Sequence, residues 1–223
     1  MAAVDGTAAQ RTYRGRTTAE RVAERRARLE EAALEVIGTR GWAEATMTEI
    51  CRVAGLTERY FYESFRSREA LYEALLDDLG EELRAAVFGA AAQHDDPAER
   101  MRASSAALVA QLVGDPRRGR AALLEGIGLQ GLEQRRREAI LGLFDLLGEQ
   151  WETFFPQIAA DPAERRLRAT AIGGAAVALI SRRLDGTLDV DDAALAEALS
   201  ATGTAIAGAP LAGPTAIGRQ PPD

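Results

Sequence analysis

Thr46-Met47-Thr48-Glu49-Ile50-Cys51-Arg52-Val53-Ala54-Gly55-Leu56-Thr57-Glu58-Arg59-Tyr60-Phe61-Tyr62-Glu63-Ser64-Phe65-Arg66-Ser67-Arg68-Glu69-Ala70-Leu71 decides how this chain folds. Ile50 and Val53 stand three apart, on one face of a short helix for which Thr46 or Thr48 supplies the N-cap. Gly55 follows the last periodic residue and ends that helix in the left-handed conformation, with Leu56 tucked beneath. Thr57 caps a second helix, and Glu58 sits at its positive end. Phe61 and Phe65 repeat at i, i+4 on the buried side, while Glu58, Arg59, Tyr60, Tyr62 and Glu63 take the other face. Ser67 opens a third helix carrying Leu71, Leu75, Leu76, Leu79 and Leu83 at helical spacing. Two short helices about a glycine turn, the second with polar and aromatic groups near its N-terminus, form the geometry that offers a helix to a DNA major groove. A plain helical hairpin has the same periodicity.

The residue order separates the two. Gly41-Trp42, Thr46-Met47, Ile50, Ala54-Gly55-Leu56-Thr57, Phe61-Tyr62, Phe65, Ser67-Arg68-Glu69 and Leu71 together resemble the N-terminal domain of the TetR family of one-component transcriptional regulators. The resemblance runs over roughly residues 21–76, about a quarter of the chain. Three positions depart from the family pattern. Cys51 stands where alanine is usual, Arg68 where lysine is usual, and Arg59-Tyr60 where a small pair is common. The last departure changes the reading surface, so base preference does not carry over.

Composition agrees with an all-α fold, being rich in alanine, 47% hydrophobic and 5% aromatic, without sustained β-branched alternation. The resemblance implies an N-terminal three-helix helix-turn-helix domain and a larger C-terminal helical ligand-binding and dimerisation domain, about nine helices in all. The formal charge is −7. It is unevenly spread: from Arg11 to Arg68 twelve arginines face nine acids, and the excess of acid lies elsewhere. A basic head on an acidic body orients toward a phosphate backbone. All 27 basic residues are arginine. The single cysteine excludes an intrachain disulfide, and no apolar run is long enough for a bilayer, so the expected location is the cytoplasm.

Residues 1–16 read as a disordered arm in which Arg11, Arg14 and Arg16 flank Tyr13; it either enters a minor groove or stays in solvent. The DNA-binding domain is expected at 17–66, the effector-binding and dimerisation domain at 67–208, and a proline-rich disordered tail at 209–223. Thr17 or Thr18 caps a helix to about Thr39 with Leu29, Ala33, Val36 and Ile37 as its stripe, and its arginines pair with interleaved acids. Gly41 ends it, and Trp42 packs beneath the motif. A long helix from Ser67 reaches about Gln93 and breaks at His94-Asp95-Asp96-Pro97. Further helices follow over Pro97 to Val113, Arg117 to Gln130, Glu133 to Ile158, Asp161-Pro162 to Leu184, and from Asp189–Asp192 to about Ile206.

Arg59 and Tyr60 are the best candidates to reach base edges, with Glu58 a further acceptor: arginine matches guanine O6 and N7, tyrosine a thymine methyl, and glutamate a cytosine amino group. Thr46, Thr48, Thr57, Tyr62 and Arg68 are expected on phosphates. The resemblance implies a small apolar or aromatic effector in the body. Phe144, Trp151, Phe154 and Phe155 could wall a pocket, with Met101, Ser104, Gln111, Glu125 and Gln130 beside them; the same aromatics at helical spacing also read as core. The resemblance also implies a homodimer through the last two long helices, with Gly173, Ala176, Val177, Ile180, Leu195 and Leu199 as contacts, or else packed within the chain. The partners are therefore a double-stranded operator, an effector and a second copy, with no membrane and no cofactor. No metal site is expected, because His94 has no second nitrogen or sulfur ligand at useful spacing. An enzyme is disfavoured by one histidine and one buried cysteine without a partner base. The expected function is a ligand-released repressor on a near-palindromic operator; the alternative is a helical small-molecule-binding or assembly protein without specific DNA binding.

Overall fold

The computed structural model describes residues 17–126 and 130–210. The basic arm and most of the proline-rich tail lie outside the described residues. Every regular element among the described residues is helical: α1 (Thr18–Arg40), a 3-10 turn (Trp42–Glu44), α2 (Met47–Ala54), α3 (Glu58–Ser64), α4 (Arg68–Ala91), α5 (Pro97–Leu112), α6 (Pro116–Leu123), α7 (Gln130–Glu149), α8 (Trp151–Phe154), α9 (Pro162–Leu184) and α10 (Asp192–Gly208). No helix among the described residues is long and apolar enough to cross a membrane.

The starts follow from capping side chains. Thr17 and Glu20 form a reciprocal capping box on α1, Thr46 accepts from the Glu49 amide, and Ser67 from the Ala70 amide. Asp96, Asp161 and Asp191 cap α5, α9 and α10, the first two with proline next, where its missing N–H costs nothing. Gly55 ends α2 at φ 62° and ψ 39°, a region that taxes any residue with a Cβ.

The chain divides into two compact units, and the divisions fall inside α4 and α7. One comprises residues 17–79 and 116–136, the other 80–115 and 137–210. The unit holding the helix-turn-helix is thus larger than residues 17–66. Its core gathers Leu29, Ala33, Val36 and Ile37 of α1 with Trp42, Ile50, Phe61, Phe65, Leu71, Tyr72, Leu75, Leu76 and Leu79, and takes in Ala121 and Leu132 from much later in sequence. Tyr72 fixes that distant piece: its ring stacks on Trp42 at 5.1 Å, and its hydroxyl donates to the Ala121 carbonyl at 2.6 Å. Burial pushes its phenol far above the usual range. Arg117 of α6 adds ion pairs of 2.9 Å to both Glu31 and Glu35.

In the second unit Trp151, Phe154 and Phe155 pack with Met101, Ala91 and Ala207, and Phe88 and Ile172 close over them. The buried Arg168 guanidinium donates to the carbonyls of Ile206 and Ala207 and pairs with Glu164 at 2.6 Å. It thereby satisfies the C-terminal end of α10 from α9.

Two helix boundaries differ from expectation. The helix expected from Arg117 to Gln130 stops at Leu123, and Gly126 turns with φ 73° where an added Cβ would meet the Tyr72 ring at 2.9 Å. The helix expected from Glu133 to Ile158 begins at Gln130, runs through Gly131, and ends at Glu149. A single further turn, α8, follows. Pro156 disfavours helical backbone at Phe155, which sits at φ −134°, and the Trp151 indole N–H donates back to the Ile158 carbonyl at 3.0 Å.

Candidate nucleic-acid interface

α3 is anchored by Phe61, which is fully buried, so its opposite face is outward. Arg59 and Glu58 are exposed there, as is Tyr62, at 61% exposure. The Tyr62 ring leans edge-on against Phe61 at 5.8 Å. Phe65 is buried as expected, but it follows the helix in extended conformation and closes α3 instead of continuing it.

The arginines of α1 do more than pair along their own helix. Arg26 does pair with Glu30 at 3.0 Å, yet it also lies over the Phe65 ring at 4.3 Å and donates to the Ser64 carbonyl at 3.3 Å. Arg28 donates to the carbonyls of Ala54 and Gly55 at the end of α2. Arg25 covers the Tyr60 ring, its guanidinium carbon 4.5 Å from the centroid. These side chains clamp the ends of both motif helices to α1 through groups that a helix leaves unbonded. Sequence spacing alone did not single them out, because these partners lie 26 to 39 residues away.

The expected contact residues therefore differ in availability. Tyr60 is drawn half out of solvent under Arg25, so its ring face is covered. The Thr48 hydroxyl donates to Glu58 at 3.1 Å; its proton is committed to tying α2 to α3 and is not free for a phosphate. Thr46 keeps its hydroxyl proton while accepting the cap bond, and Thr57 makes no side-chain cap bond, contrary to expectation. Arg68 lies over Trp42 at 4.5 Å and bonds Glu69 through Nε at 3.2 Å, leaving its terminal nitrogens. Arg66, in the turn between α3 and α4, is exposed and makes no side-chain ion pair or hydrogen bond among the described residues, and it is a further candidate cation. Its place beside Ser67-Arg68 was the available signal.

Acids temper this face. Glu49 accepts two bonds of 2.7 Å from Arg52 and one of 2.6 Å from Arg40, and those donors lower its carboxyl to about 2. Burial raises the Cys51 thiol, with Glu58 adding to the effect, so the thiol stays protonated and inert beneath α2.

The residues expected around an effector do not form one group. Glu125 belongs to the first unit, where it accepts from the Trp42 amide at 3.0 Å. Ser104 is buried and donates to the Val87 carbonyl at 3.1 Å, Gln111 is half-buried, and the Gln130 side chain lies outside the described residues. Trp151 stacks on Phe155 at 4.6 Å, and Phe154 meets Phe88 edge-on at 5.8 Å. Phe144 lies on Gly173 so closely that any Cβ there would collide with the ring. Trp151, Phe154 and Phe155, with Met101, make the core of their unit, and Phe144 is half-buried outside it.

The six residues expected at a dimer interface divide as well. Gly173, Ile180, Leu195 and Leu199 are buried inside their own protomer, and only Ala176 and Val177 are half-buried. The reason is helical phase: α10 packs on α5 and α9, and Gly173 of α9 faces Phe144 of α7. The outward stripe of α9 is Leu167, Ala171, Gly174 and Ala178, and that of α10 is Ala194, Ala198, Ala201 and Ala205.

Residues 29–75 match the family described as bacterial regulatory proteins, tetR family. Against curated protein sequences the chain finds no significant match. Among solved structures it is similar to the fatty acid degradation regulator FadR of Bacillus halodurans (TM-score 0.70, 19% identity, covering 82% of this chain and 95% of that one). It is similar to FadR of Bacillus subtilis, solved in complex with stearoyl-CoA (TM-score 0.69, 16% identity, 82% and 97%). A TetR-like transcriptional regulator from a Rhodococcus species gives TM-score 0.63 at 22% identity, with 82% and 97% covered. At these identities the likeness is one of fold. The fold they share with this chain is an N-terminal helix-turn-helix followed by a helical C-terminal domain. Residues 29–75, from α1 into α4, are thus similar in sequence to the TetR-family helix-turn-helix.

Proposed function

We propose that the protein is a repressor that binds a near-palindromic operator as a homodimer in the cytoplasm and leaves it when a small apolar effector binds the C-terminal domain. The observation that carries the DNA half is the α2–Gly55–α3 geometry, with Phe61 buried and Arg59 and Tyr62 outward on the same short helix. In this reading the α3 face enters the major groove, Arg59 meets guanine, and Glu58 stands at the same edge. Thr46, Thr57, Tyr62, Arg66 and the free end of Arg68 take phosphates. The heads of a dimer would then lie about one helical turn apart, ~34 to 36 Å. The stearoyl-CoA bound by one structural relative supports an apolar effector, and an effector acts only by preferring one head separation.

Selection from a random duplex library at moderate salt tests the reading. It should return a near-palindrome. Arg59→Ala should relax preference at one position in each half-site by ~1 to 3 kcal/mol, whereas Arg66→Ala should weaken every duplex alike and lower the salt slope by about one. Salt-sensitive binding without any preferred sequence would favour a small-molecule-binding or assembly protein instead.

For the homodimer, the outward stripes of α9 and α10 support an interface one position out of phase with the residues named from sequence. Nothing lies within 4 Å of a Cβ added at Gly174, so Gly174→Glu fits the protomer. It should turn a dimer into a monomer by sedimentation, because an unpaired charge cannot be buried against the partner. A wild-type monomer at micromolar concentration, or a Gly174→Glu dimer, would remove this interface.

A further inference from the structure

Glu63 occupies the last turn of α3, one helical turn after Arg59, and each of its two carboxylate oxygens faces a different arginine. Oε1 accepts from Arg59 Nε at 3.1 Å, and Oε2 lies 3.6 Å from Arg25 Nη2 on α1. Arg25 in turn covers the Tyr60 ring. The Arg59 side chain is otherwise 84% exposed; this bond is its one tether. A guanidinium offers two forks, and with Nε engaged the fork left open is the terminal Nη1–Nη2 pair, which has the spacing of guanine O6 and N7.

We propose that Glu63 is a positioning residue for sequence reading: it aims the terminal fork of Arg59, and its own charge opposes binding wherever Arg59 does not find its base. The inference rests on the DNA-reading role given above to Arg59. A long arginine side chain ordinarily loses rotamer freedom when it engages a base, and a tether formed before binding removes part of that loss. The same carboxylate, anchored by Arg25, stands on the groove-facing helix, where it repels phosphates at every sequence. Correct pairing offsets the repulsion and incorrect pairing does not, so Glu63 converts general affinity into specificity. Of the acids of this unit, Glu49 is bonded to Arg40 and Arg52 and Glu58 to Thr48; among the described residues only Glu63 is bonded to Arg59.

The test compares wild type, Glu63→Ala, Glu63→Gln and Arg59→Ala on the selected operator, on operators changed at each base, and on scrambled duplex. Alanine keeps the helix, and glutamine keeps an acceptor for Nε without the charge. Glu63→Ala should bind scrambled duplex about two- to fivefold more tightly at low salt and lose roughly tenfold of its discrimination at the Arg59 position alone. Glu63→Gln should recover part of that discrimination, and Glu63→Ala added to Arg59→Ala should change that position no further. Unchanged discrimination in Glu63→Ala, or equal loss at all positions, would overturn the proposal. A wild type with no preferred sequence would overturn the regulator reading and this inference together. Arginine Nε–H resonances of the free protein separate the two: Arg59 should exchange slowly in wild type and rapidly in Glu63→Ala, and a signal that does not differ would sink the tether by itself.

Discussion

Gly38→Ala is expected to destabilise the protein by about 2 kcal/mol, opposite in sign to the usual effect of replacing a glycine inside a helix. Alanine normally gains ~1 kcal/mol there by restricting the unfolded chain. At position 38, however, the new Cβ would lie 2.5 Å from the Cα of Arg117 and 2.6 Å from its carbonyl oxygen. Those are backbone atoms of α6 and have no rotamer by which to withdraw. Overpacking costs ~1 to 3 kcal/mol or more, and rigid backbone belongs at the upper end. Relief by lifting α6 away from α1 would stretch the Arg117 pairs to Glu31 and Glu35 and disturb the Tyr72–Ala121 bond. Urea denaturation should show a lower midpoint at unchanged slope. Gly80→Ala in α4, where nothing lies within 4 Å, serves as the control and should stabilise by up to ~1 kcal/mol. If both substitutions stabilise, the close approach of α1 and α6 is wrong. Because α6 rides on the same helix whose arginines clamp the reading motif, operator affinity should fall with Gly38→Ala as well.

How much of this was legible depends on the range over which the determining contacts act. Helix starts were readable because a cap is local: Asp161-Pro162 and Asp96-Pro97 open α9 and α5 where expected, and Gly55 closes α2. The end of α8 was also local and was missed, since Pro156 forbids the helix that aromatic periodicity suggested. Long-range partners were not readable. Arg25 and Arg28 stand among acids at spacings that suit intrahelical pairs, and only the folded chain brings Tyr60 and the end of α2 beneath them. The dimer residues show a subtler limit. Apolar periodicity marks a buried stripe without saying what buries it, and on α9 the larger residues Ile172 and Ile180 turn inward while Gly174 and Ala178 are left outside. Within the helix-turn-helix, the outward positions Glu58, Arg59 and Tyr62 were visible from order alone. Which side chains there stay open was decided by Arg25, which covers Tyr60, and by Glu58 and Glu63, which hold Thr48 and Arg59.

The aromatic set poses the same question of core against cavity, and Trp151→Ala should answer it. Trp151 is fully buried, stacks on Phe155 at 4.6 Å and donates to the Ile158 carbonyl at 3.0 Å. Truncating a buried tryptophan in a packed core costs ~3 to 5 kcal/mol, and the orphaned carbonyl adds roughly 1 kcal/mol. A loss of about 4 to 5 kcal/mol is therefore expected, a large share of the ~5 to 15 kcal/mol a domain possesses. Trp151→Phe keeps most of the apolar area and gives up the N–H donor and some volume, so it should cost only about 1 to 2 kcal/mol. The chain has two tryptophans, one in each compact unit, so in either variant the remaining tryptophan fluorescence comes from Trp42 alone. Circular dichroism then follows all helices while Trp42 follows the helix-turn-helix unit, and Trp151→Ala should lower the first transition by at least as much as the second. A side chain that lines a space kept for a ligand behaves differently, because its removal enlarges an opening already present and leaves few contacts unmade. A cost below about 2 kcal/mol for Trp151→Ala would therefore return Trp151, Phe154 and Phe155 to the list of effector contacts. The expected large cost would instead direct the search for the effector to the half-buried residues around them, Phe144 and Gln111 first.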